Sequence, residues 1–454
     1  MKVHMIAIGG SAMHNLAIAL AQKGIHVSGS DDEIFEPSKS RLAKYGLLPD
    51  WMGWNADRIT GDLDAVIVGM HARKDNPELL KAQAMGLKIY SYPEYLYEQT
   101  KEKTRIVIGG SHGKTSITSM LLHVMKYAGL ETDFMVGAQL TGFDCMVKLT
   151  HEAKYVVLEG DEYLSSPTDL RPKFHLYHPH IALISGIAWD HINVFPTFQD
   201  YVLQFDKFID CIEPNGVLIY SEDDQEVNTI ATKARHRAIE RIGYSAHPHE
   251  LENGTTYLVT NQGKVPLKIF GLHNLQNLNG ARMIAHQIGI SDDIFYNAIQ
   301  SFEGASKRLE VVARRNQGII FKDFAHSPSK LKATSSAVKR QYPNHRLVAC
   351  MELHTFSSLN AQFLKEYAHS MDEPDIALVY FNPHTIEHKR LAPITIEDVK
   401  KAFQREDLMV FTDASLVKTV LLEMDWEKSN LLWMTSGNFD GIEISELAQQ
   451  LAMD

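Results

Sequence analysis

The residues best suited to chemistry form a glycine-rich loop, which reads GGSHGKTS over residues 109–116. It follows the apolar run RIVI and precedes a helical pattern, as a phosphate-binding loop does. Glycines let backbone N–H groups turn toward an anion, and a helix N-terminus adds partial positive charge. Lys114 can reach terminal phosphates, and the Thr115 hydroxyl can ligate Mg²⁺. The pattern predicts a nucleotide site; the alternative is a glycine-rich turn with a surface lysine.

A second candidate is an acidic loop at the end of the apolar run YVVL. It supplies Glu159, Asp161 and Glu162 within four positions. Mg²⁺ prefers hard oxygen ligands beside substrate phosphates, so these carboxylates could complete a magnesium site. On its own the loop could equally be a group of solvated acids.

Histidines offer a weaker signal. Asp190–His191 follows the apolar run IALISGIAW, and a histidine there is as often structural as functional. His175, His178 and His180 lie within six positions, but a chain with 22 histidines forms such groups by chance. We therefore assign no metal to these three.

The N-terminal strand–turn–helix reads AIGGSA over residues 7–12, a G-x-G-x-x-G pattern with alanine at both ends. Asp31 follows the second strand, where a ribose-binding acid is expected. The pattern favours a nucleotide diphosphate at a helix N-terminus, and an NAD(P) site stays open as an alternative.

The elements that must position these residues alternate between short apolar strands and helical patterns. This alternation predicts an α/β protein with parallel sheets. At about 150 residues per domain, 454 residues suggest about three domains. We place them at 1–100, 101–308 and 309–454, with resets near the charged run EQTKEKTR and near Lys307–Arg308. Period-two patches such as TTYLVT and VPLKIF predict an antiparallel excursion within 222–270.

Composition narrows the functional class. A net charge of −11 disfavours a nucleic-acid or anionic-membrane surface. No apolar run approaches the roughly 18 residues of a spanning helix, and the apolar N-terminus is interrupted too early for a signal peptide. Three scattered cysteines fit a reducing compartment. We expect a cytoplasmic protein with no nucleic-acid or membrane partner; the sequence predicts no oligomeric state.

Taken in order, these loops resemble the Mur ligases, the ATP-dependent amide-forming enzymes of bacterial peptidoglycan metabolism. Their phosphate loop is shortened to G-T-x-G-K-[ST]-[ST], which accounts for Ile108 at the position of the usual distal glycine. Here the residues implied to bind ATP in this loop are Gly110, Ser111, His112, Gly113, Lys114, Thr115 and Ser116. The resemblance implies Mg²⁺ ligation by Thr115, Glu159 and His191.

The resemblance extends over essentially the whole chain. GLHNLQN matches the family's G-x-H-N-x-x-N segment, FEGASKRLE contains its arginine, and DFAHSP opens the last domain. It implies further ATP-binding residues, which are His273, Asn274, Asn277, Arg308 and Asp323. The implied architecture is a Rossmann-like UDP-sugar domain, a central P-loop ATPase-like domain and a Rossmann-like C-terminal domain.

In this family the first domain holds a UDP-sugar rather than NAD. Residues 1–12, 29–31 and 71–79 resemble the branch that acts on UDP-N-acetylmuramate. The implied contacts are Gly9, Gly10, Ser11, Met13, Ser30, Asp31 and His71. The family's N-x-E before the D-H pair is Gly186 and Ala188 here, and its HHP is His326-Ser327-Pro328.

The implied reaction begins when ATP phosphorylates the lactyl carboxylate of the sugar. An amine then attacks the acyl phosphate, and phosphate leaves. The implied catalytic residues are Lys114, Glu159, His191, Arg308 and His326. Alternatives from other classes are a P-loop kinase or hydrolase, a Rossmann dehydrogenase, and a non-catalytic UDP-sugar-binding relative.

The resemblance implies that the amine belongs to an amino acid or a short peptide. EGDEYLSSPTDLRPKFHLY has the D-E-Y…D-x-R-x-K-F-x-x-Y spacing of the recycling type, which adds the tripeptide L-Ala-γ-D-Glu-meso-diaminopimelate. MTSGNFDGI also resembles that type, whereas MELHTFSSLN partly resembles the P-H-T-Y-S-R of the L-alanine ligase and lacks its arginine. We expect the tripeptide, with L-alanine as the alternative; Arg171 and Lys173 are either family-specific site residues or a solvated pair.

Overall fold

The structure is a computed structural model that describes residues 1–138, 143–167, 169–233, 238–305, 308–316 and 318–451. The chain forms two compact units. The first consists of Met1–Ile187, Val202–Tyr244 and Gly280–Phe295, and the second of Ala188–Tyr201, Ser245–Asn279 and Tyr296–Asp454.

The first unit begins with a parallel sheet of strand order β2-β1-β3-β4. Its strands are β1 (Lys2–Ile6), β2 (His26–Ser30), β3 (Ala65–Val68) and β4 (Ile89–Ser91). Its helices are α1 (Ser11–Gln22), α2 (Ser38–Lys44), α3 (Pro77–Ala84) and α4 (Tyr92–Thr100). Local chemistry sets their starts: Asn76 caps α3, and Ser91 and Glu94 form a capping box on α4.

A larger sheet in the same unit has the order β11-β10-β9-β5-β8-β6-β7. Its strands run parallel except for β7, which is antiparallel to β6. They are β5 (Thr104–Gly109), β6 (Thr132–Met135), β7 (Val147–Lys148), β8 (Tyr155–Gly160), β9 (Ile181–Ile184), β10 (Val217–Ser221) and β11 (Glu240–Tyr244). The accompanying helices are α5 (Lys114–Tyr127), α6 (Phe198–Asp210) and α7 (Gln225–Thr232).

The antiparallel excursion predicted within 222–270 is confirmed. It is a sheet in the second unit with the order β12-β13-β14, formed by β12 (His249–Glu252), β13 (Thr255–Thr260) and β14 (Gly263–Leu267). Two helices follow, α8 (Leu272–Gln287) and α9 (Asp292–Ile299).

The C-terminal sheet has the order β15-β16-β20-β17-β18-β19, and only its edge pair β15–β16 is antiparallel among the described strands. The strands are β15 (Glu310–Arg315), β16 (Gly318–Asp323), β17 (Arg346–Leu353), β18 (Ile376–Phe381), β19 (Met409–Phe411) and β20 (Ser429–Met434). The helices are α10 (Pro328–Gln341), α11 (Pro383–His388), α12 (Ile396–Phe403), α13 (Ala414–Glu423) and α14 (Ile444–Gln450).

Both faces of this sheet are covered, which explains why its central strands are almost wholly apolar. Leu347, Ala349 and Met351 of β17 point into one buried cluster, and Val348 and Cys350 point into another. The alternation follows from the two-residue period of a strand.

The predicted α/β class is confirmed, with several parallel-sheet domains. The boundaries at 100 and 308 stay predictions. The first falls between α4 and β5 and the second just before β15, and Lys307 lies outside the described residues. Over the described ranges, no helix combines the length and apolarity that a bilayer crossing requires.

Candidate active site

The phosphate loop has the backbone that its glycines predict. Gly110 has a φ of 136° and Gly113, which precedes α5, has a φ of 81°. A Cβ on Gly110 would lie 2.1 Å from the Ser185 hydroxyl oxygen, so only glycine fits there. The loop is tied to β9 because the Ser111 N–H donates to the Gly186 carbonyl at 2.9 Å.

Lys114 lies at the start of α5 with its ammonium group folded back over the loop. The Nζ atom is 2.6 Å from Glu162 Oε2 and 2.5 Å from the Gly110 carbonyl oxygen. Burial opposes the charge, but the carboxylates of Glu162, Asp161 and Glu159 raise the pKa of Lys114 above its usual value. Lys114 is therefore positively charged at pH 7 and lies beside the glycine-rich loop.

Thr115 and Glu159 are in direct contact. The Thr115 hydroxyl donates to Glu159 Oε1 at 2.6 Å, and the Gly137 N–H donates to Oε2 at 2.5 Å. Both side chains are buried, and a hydroxyl beside a carboxylate is the oxygen donor set that Mg²⁺ takes. Within the described ranges, no three His, Cys, Asp or Glu side chains approach closely enough to form a metal group by themselves.

The other acid of the loop has its own cation. Lys173 Nζ is 2.5 Å from Asp161 Oδ2, and both residues lie in a segment that folds back on itself. Arg171 of the same segment pairs with Asp169 at 2.7 Å. The two basic residues that were either site residues or a solvated pair therefore lie in different surroundings.

Gly186 stands where the family's N-x-E motif begins with asparagine, and the structure gives a steric reason for a glycine at this position. A Cβ at Gly186 would lie 2.4 Å from Cε1 of the His112 ring, so the ring occupies the space that a side chain would need. The next residue, Ile187, donates its N–H to Asp224 Oδ2 at 2.9 Å. Asp224 is a polar residue at this edge that the sequence analysis did not identify.

In the first sheet, Asp31 organises the loop of Gly9 and Gly10. The Gly9 N–H donates to Asp31 Oδ2 at 2.7 Å, and a Cβ on Gly9 would lie 2.9 Å from that oxygen. Burial raises the pKa of Asp31 to about 6. Ser11 and His71 are exposed, whereas Met13 is buried.

The Ser30 side chain points into the protein, where its hydroxyl donates to the buried Glu78. Glu78 Oε2 also lies 3.2 Å from His4 Nε2, and Oε1 accepts the Asn55 N–H at 2.8 Å. Burial opposes its charge, but these donors lower the pKa of Glu78. The sequence analysis missed Glu78, although an acid in the first turn of a helix is a recognisable signal.

In the second unit, Asp190 and His326 approach each other. His326 Nε2 is 3.9 Å from Asp190 Oδ2 and 3.5 Å from Lys330 Nζ, while Nδ1 is 2.8 Å from the Phe324 carbonyl. Burial, with Lys330 nearby, lowers the pKa of His326 to about 3, so the imidazole is neutral at pH 7. Lys330 is one helical turn from His326, a spacing that the sequence analysis overlooked.

His191 follows in the same loop with a φ of 55°, a left-handed conformation that is uncommon outside glycine. Its N–H donates to Asp190 Oδ1 at 2.7 Å, and the Ser357 hydroxyl donates to the same oxygen at 3.3 Å. The strand before them, β9, ends at Ile184, so Asp190–His191 lies in a loop and does not end the strand.

The residues expected near the ATP base and phosphates are also in the second unit. Asn274 donates its side-chain amide to the Phe270 carbonyl at 2.9 Å, Asn277 is buried, and His273 is the second residue of the same helix, α8. The Arg308 guanidinium carbon is 4.9 Å from the centre of the Phe324 ring.

Asp323 ends β16 and accepts the N–H groups of Leu309 at 2.5 Å and Ala325 at 2.7 Å. Burial raises the pKa of Asp323, while Arg308 acts in the opposite direction. These bonds give Asp323 a structural role in addition to the expected nucleotide contact.

The three other histidines have separate surroundings. His175 Nε2 lies 2.7 Å from the Gln204 carbonyl and its ring stacks on Phe174, and His180 Nδ1 lies 3.2 Å from the Arg105 backbone nitrogen. His178 contacts the Tyr97 ring.

Comparison with known proteins adds independent evidence. Residues 108–285 match the Mur ligase middle domain, and residues 2–104 match a domain described as "Mur ligase family, catalytic domain". A UDP-N-acetylmuramate–L-alanine ligase from Sulfurihydrogenibium sp. is 30% identical over 385 residues, which cover 83% of this chain and 82% of that protein.

The fold is shared by solved structures, among them those of two ligases. The UDP-N-acetylmuramate–alanine ligase of Thermotoga maritima superimposes with a TM-score of 0.70 at 18% identity and covers 99% of this chain and 98% of its own. A murein peptide ligase from Psychrobacter arcticus gives a TM-score of 0.65 at 23% identity, with the same coverage of both chains.

Proposed function

Because this chain belongs to the Mur ligase family of ATP-dependent ligases, we propose that it joins UDP-N-acetylmuramate to a murein tripeptide in peptidoglycan recycling. The bond formed is an amide between the lactyl carboxylate and the amine of L-Ala-γ-D-Glu-meso-diaminopimelate. Membership of this family rejects the kinase, hydrolase and dehydrogenase alternatives.

The residues present fit ATP and Mg²⁺. The Gly110 cradle would be filled by any Cβ, Lys114 is charged beside it, and Thr115 and Glu159 meet through their oxygens. ATP supplies the phosphoryl group that activates the carboxylate as an acyl phosphate. Lys114 binds and orients the phosphates, and Thr115 and Glu159, with His191, would hold the metal.

The remaining contributions come from the loops of the first sheet and of the C-terminal sheet. The loop of Gly9 and Gly10, fixed by Asp31, would receive the UDP-sugar diphosphate at the N-terminus of α1. Arg308 would neutralise charge on the transferred phosphate, and the neutral imidazole of His326 could accept a hydrogen bond through Nε2. The amine attacks the carbonyl carbon, the bond to the phosphate oxygen breaks, and the amine loses a proton.

The choice of the tripeptide rests on the segment 161–177. Its sequence resembles the recycling type. The charged residues of that motif form ion pairs within the segment: Asp161 pairs with Lys173 and Asp169 pairs with Arg171. The arginine of the alanine ligase motif is replaced by Ser358, which is buried and bonded to the Thr355 carbonyl at 3.1 Å.

L-Alanine is the second candidate, and a specific observation favours it. Relatives named as L-alanine ligases are 28–31% identical to this chain over most of its length, including one from Streptococcus pneumoniae that covers 97% of it. His354, Thr355 and Ser357 also match the histidine, threonine and serine of their P-H-T-Y-S-R motif.

The test is to offer the purified protein ATP, Mg²⁺ and UDP-N-acetylmuramate with either amine and to weigh the product by mass spectrometry. We expect the tripeptide adduct together with one ADP per amide formed. Parallel reactions with the Lys114→Ala variant serve as the control, because any amide formed there does not depend on the nucleotide site. An L-alanine adduct alone would overturn the tripeptide assignment, and ADP without any amide would overturn the ligase assignment for this chain.

A further inference from the structure

The segment that follows β8 folds into a hairpin-like loop beside the phosphate loop. The Lys173 N–H donates to the Tyr163 carbonyl at 3.0 Å, and the Phe174 N–H donates to the Asp161 carbonyl at 3.2 Å. These bonds bring Lys173 back to the acidic loop from which the segment starts.

The hairpin-like loop places a second cation in this acidic group. Lys173 Nζ lies 2.5 Å from Asp161 Oδ2, with 21% of the lysine side chain and 38% of the aspartate side chain exposed. The other two acids have different partners, since Glu159 accepts from Thr115 and Glu162 pairs with Lys114. Each carboxylate of this four-residue stretch therefore has its own donor.

This pairing matters for Lys114. The carboxylate of Asp161 is among the charges that act on Lys114, together with those of Glu162 and Glu159. Without Lys173, three carboxylates would face a single ammonium group, and the excess negative charge would both retain Lys114 and repel a polyphosphate.

We propose that Lys173 is a positioning residue for nucleotide binding, which neutralises Asp161 so that Lys114 can exchange Glu162 for an ATP phosphate. The inference rests on the proposed function in that it takes ATP as the ligand of this loop. Lys173 acts through Asp161 and Lys114 and is not itself assigned a contact with the nucleotide.

Arg171 provides a matched control. It lies two residues away in the same hairpin-like loop and also forms ion pairs, to Asp169 at 2.7 Å and to Glu94 at 3.5 Å. Its side chain is 58% exposed, and neither partner belongs to the acidic stretch beside Lys114. A variant of Arg171 therefore tests the stability of the hairpin-like loop without changing the charge next to Asp161.

The experiment measures the Kd of the full-length protein for the magnesium complex of a non-hydrolysable ATP analogue by titration calorimetry, at low and high salt. We expect Lys173→Gln to weaken binding by about tenfold, as one uncompensated charge near a partly screened site does, with a smaller effect at high salt. Lys173→Arg and Arg171→Gln should bind like the wild type. The double variant Lys173→Gln/Asp161→Asn should recover binding because the charge is balanced again.

The double variant separates the effect of the net charge at position 161 from the effect of losing the Lys173–Asp161 ion pair that supports the loop. Wild-type affinity in Lys173→Gln would overturn the inference, and so would a double variant that binds as weakly as Lys173→Gln. Thermal unfolding of each variant checks that it is folded. If the wild type itself did not bind the analogue, the ATP assignment of the proposed function would fail first, and this inference would fall with it.

Discussion

At the scale of single residues, each of the three acids in the stretch 159–162 of the candidate site contacts its own donor. Lys114 is bound to Glu162, whose carboxylate is buried. A phosphate that takes Lys114 must therefore replace the Glu162 carboxylate, and the exchange costs free energy because the buried Glu162 loses its ion pair with Lys114. The pairing with Glu162 helps to keep Lys114 charged in a partly buried place.

Replacing Lys114 consequently affects stability as well as activity. We expect Lys114→Ala to reduce amide-coupled ADP release by about 10²-fold or more. It should also lower the free energy of unfolding by about 1–3 kcal/mol, because Glu162 loses its partner in a buried place. Coupled-enzyme kinetics and urea unfolding measure the two effects.

Lys126→Ala is the control, since Lys126 is exposed on the same helix. Adding Glu162→Gln to Lys114→Ala should restore stability and leave the activity low. Unchanged turnover in Lys114→Ala would remove the nucleotide assignment from this loop.

Asp31 should give the first sheet a measurable pH dependence. Its pKa is about 6 in the folded protein and near 3.9 when unfolded, so the folded state holds the proton more tightly. The contribution of Asp31 to stability is therefore present below pH 4 and is lost as the pH rises through 6.

Asp31→Asn should remove this contribution and keep an acceptor for the Gly9 N–H. Unfolding midpoints of both proteins at pH 5 and pH 7 test this: relative to Asp31→Asn, the wild type should lose stability toward pH 7, and a constant difference would contradict the prediction.

At the scale of elements, the candidate site residues lie where strands end and helices begin. Gly110 follows β5, Glu159 and Asp161 lie at the end of β8, and Asp323 ends β16. This is the edge at which parallel α/β sheets bind ligands, because the loops and helix N-termini gather there. The glycines are required where one such loop packs against the next strand.

A comparison of Gly110 with Gly129 separates the effect of a positive φ, which both have, from the effect of a close neighbouring side chain, which only Gly110 has. Gly110→Ala should abolish detectable nucleotide binding, because its φ of 136° and the Ser185 hydroxyl both exclude a Cβ. Gly129, just after the same helix, has a φ of 70°, but a Cβ there would have no neighbour within 4 Å. Gly129→Ala should cost about 1 kcal/mol of stability and leave binding unchanged. Equal nucleotide affinity in the two variants would show that the close approach to Ser185 does not matter.

At the scale of the whole molecule, the proposed nucleotide residues are divided between the two compact units. Lys114, Thr115 and Glu159 belong to the first, and Asn274 and Arg308 belong to the second. The family resemblance implies that one nucleotide contacts the residues of both units.

Hydrogen exchange can test that implication. On adding the ATP analogue and Mg²⁺, we expect slower exchange in peptides covering residues 105–116 and 156–162, and also in those covering 271–277 and 308–310. The reason is that a ligand contact lowers the frequency of local opening in the segments it touches. The buried strand β18 should not change. Protection confined to the first unit would remove His273, Asn274, Asn277 and Arg308 from the nucleotide site.

The sequence by itself determined the α/β class, the glycine-rich turn between β5 and α5, and the family. These depend on residues a few positions apart: the strand and helix periods, the spacing of Gly110, Gly113 and Lys114, and short motifs. Short or charged segments carried too little of that signal, which is why β7, with two residues, and the edge strand β15 were not predicted.

Only the tertiary structure decided which side chains meet. Lys114 with Glu162, Ser30 with Glu78 and His112 with Gly186 are 48, 48 and 74 positions apart, and no local pattern links them. The first and third contacts depend on strand order in the larger sheet, where β5 lies between β8 and β9, and the second depends on the order of the first sheet, where β1 lies between β2 and β3. Strand order is set by the packing of the whole sheet, which lies beyond the reach of local periodicity.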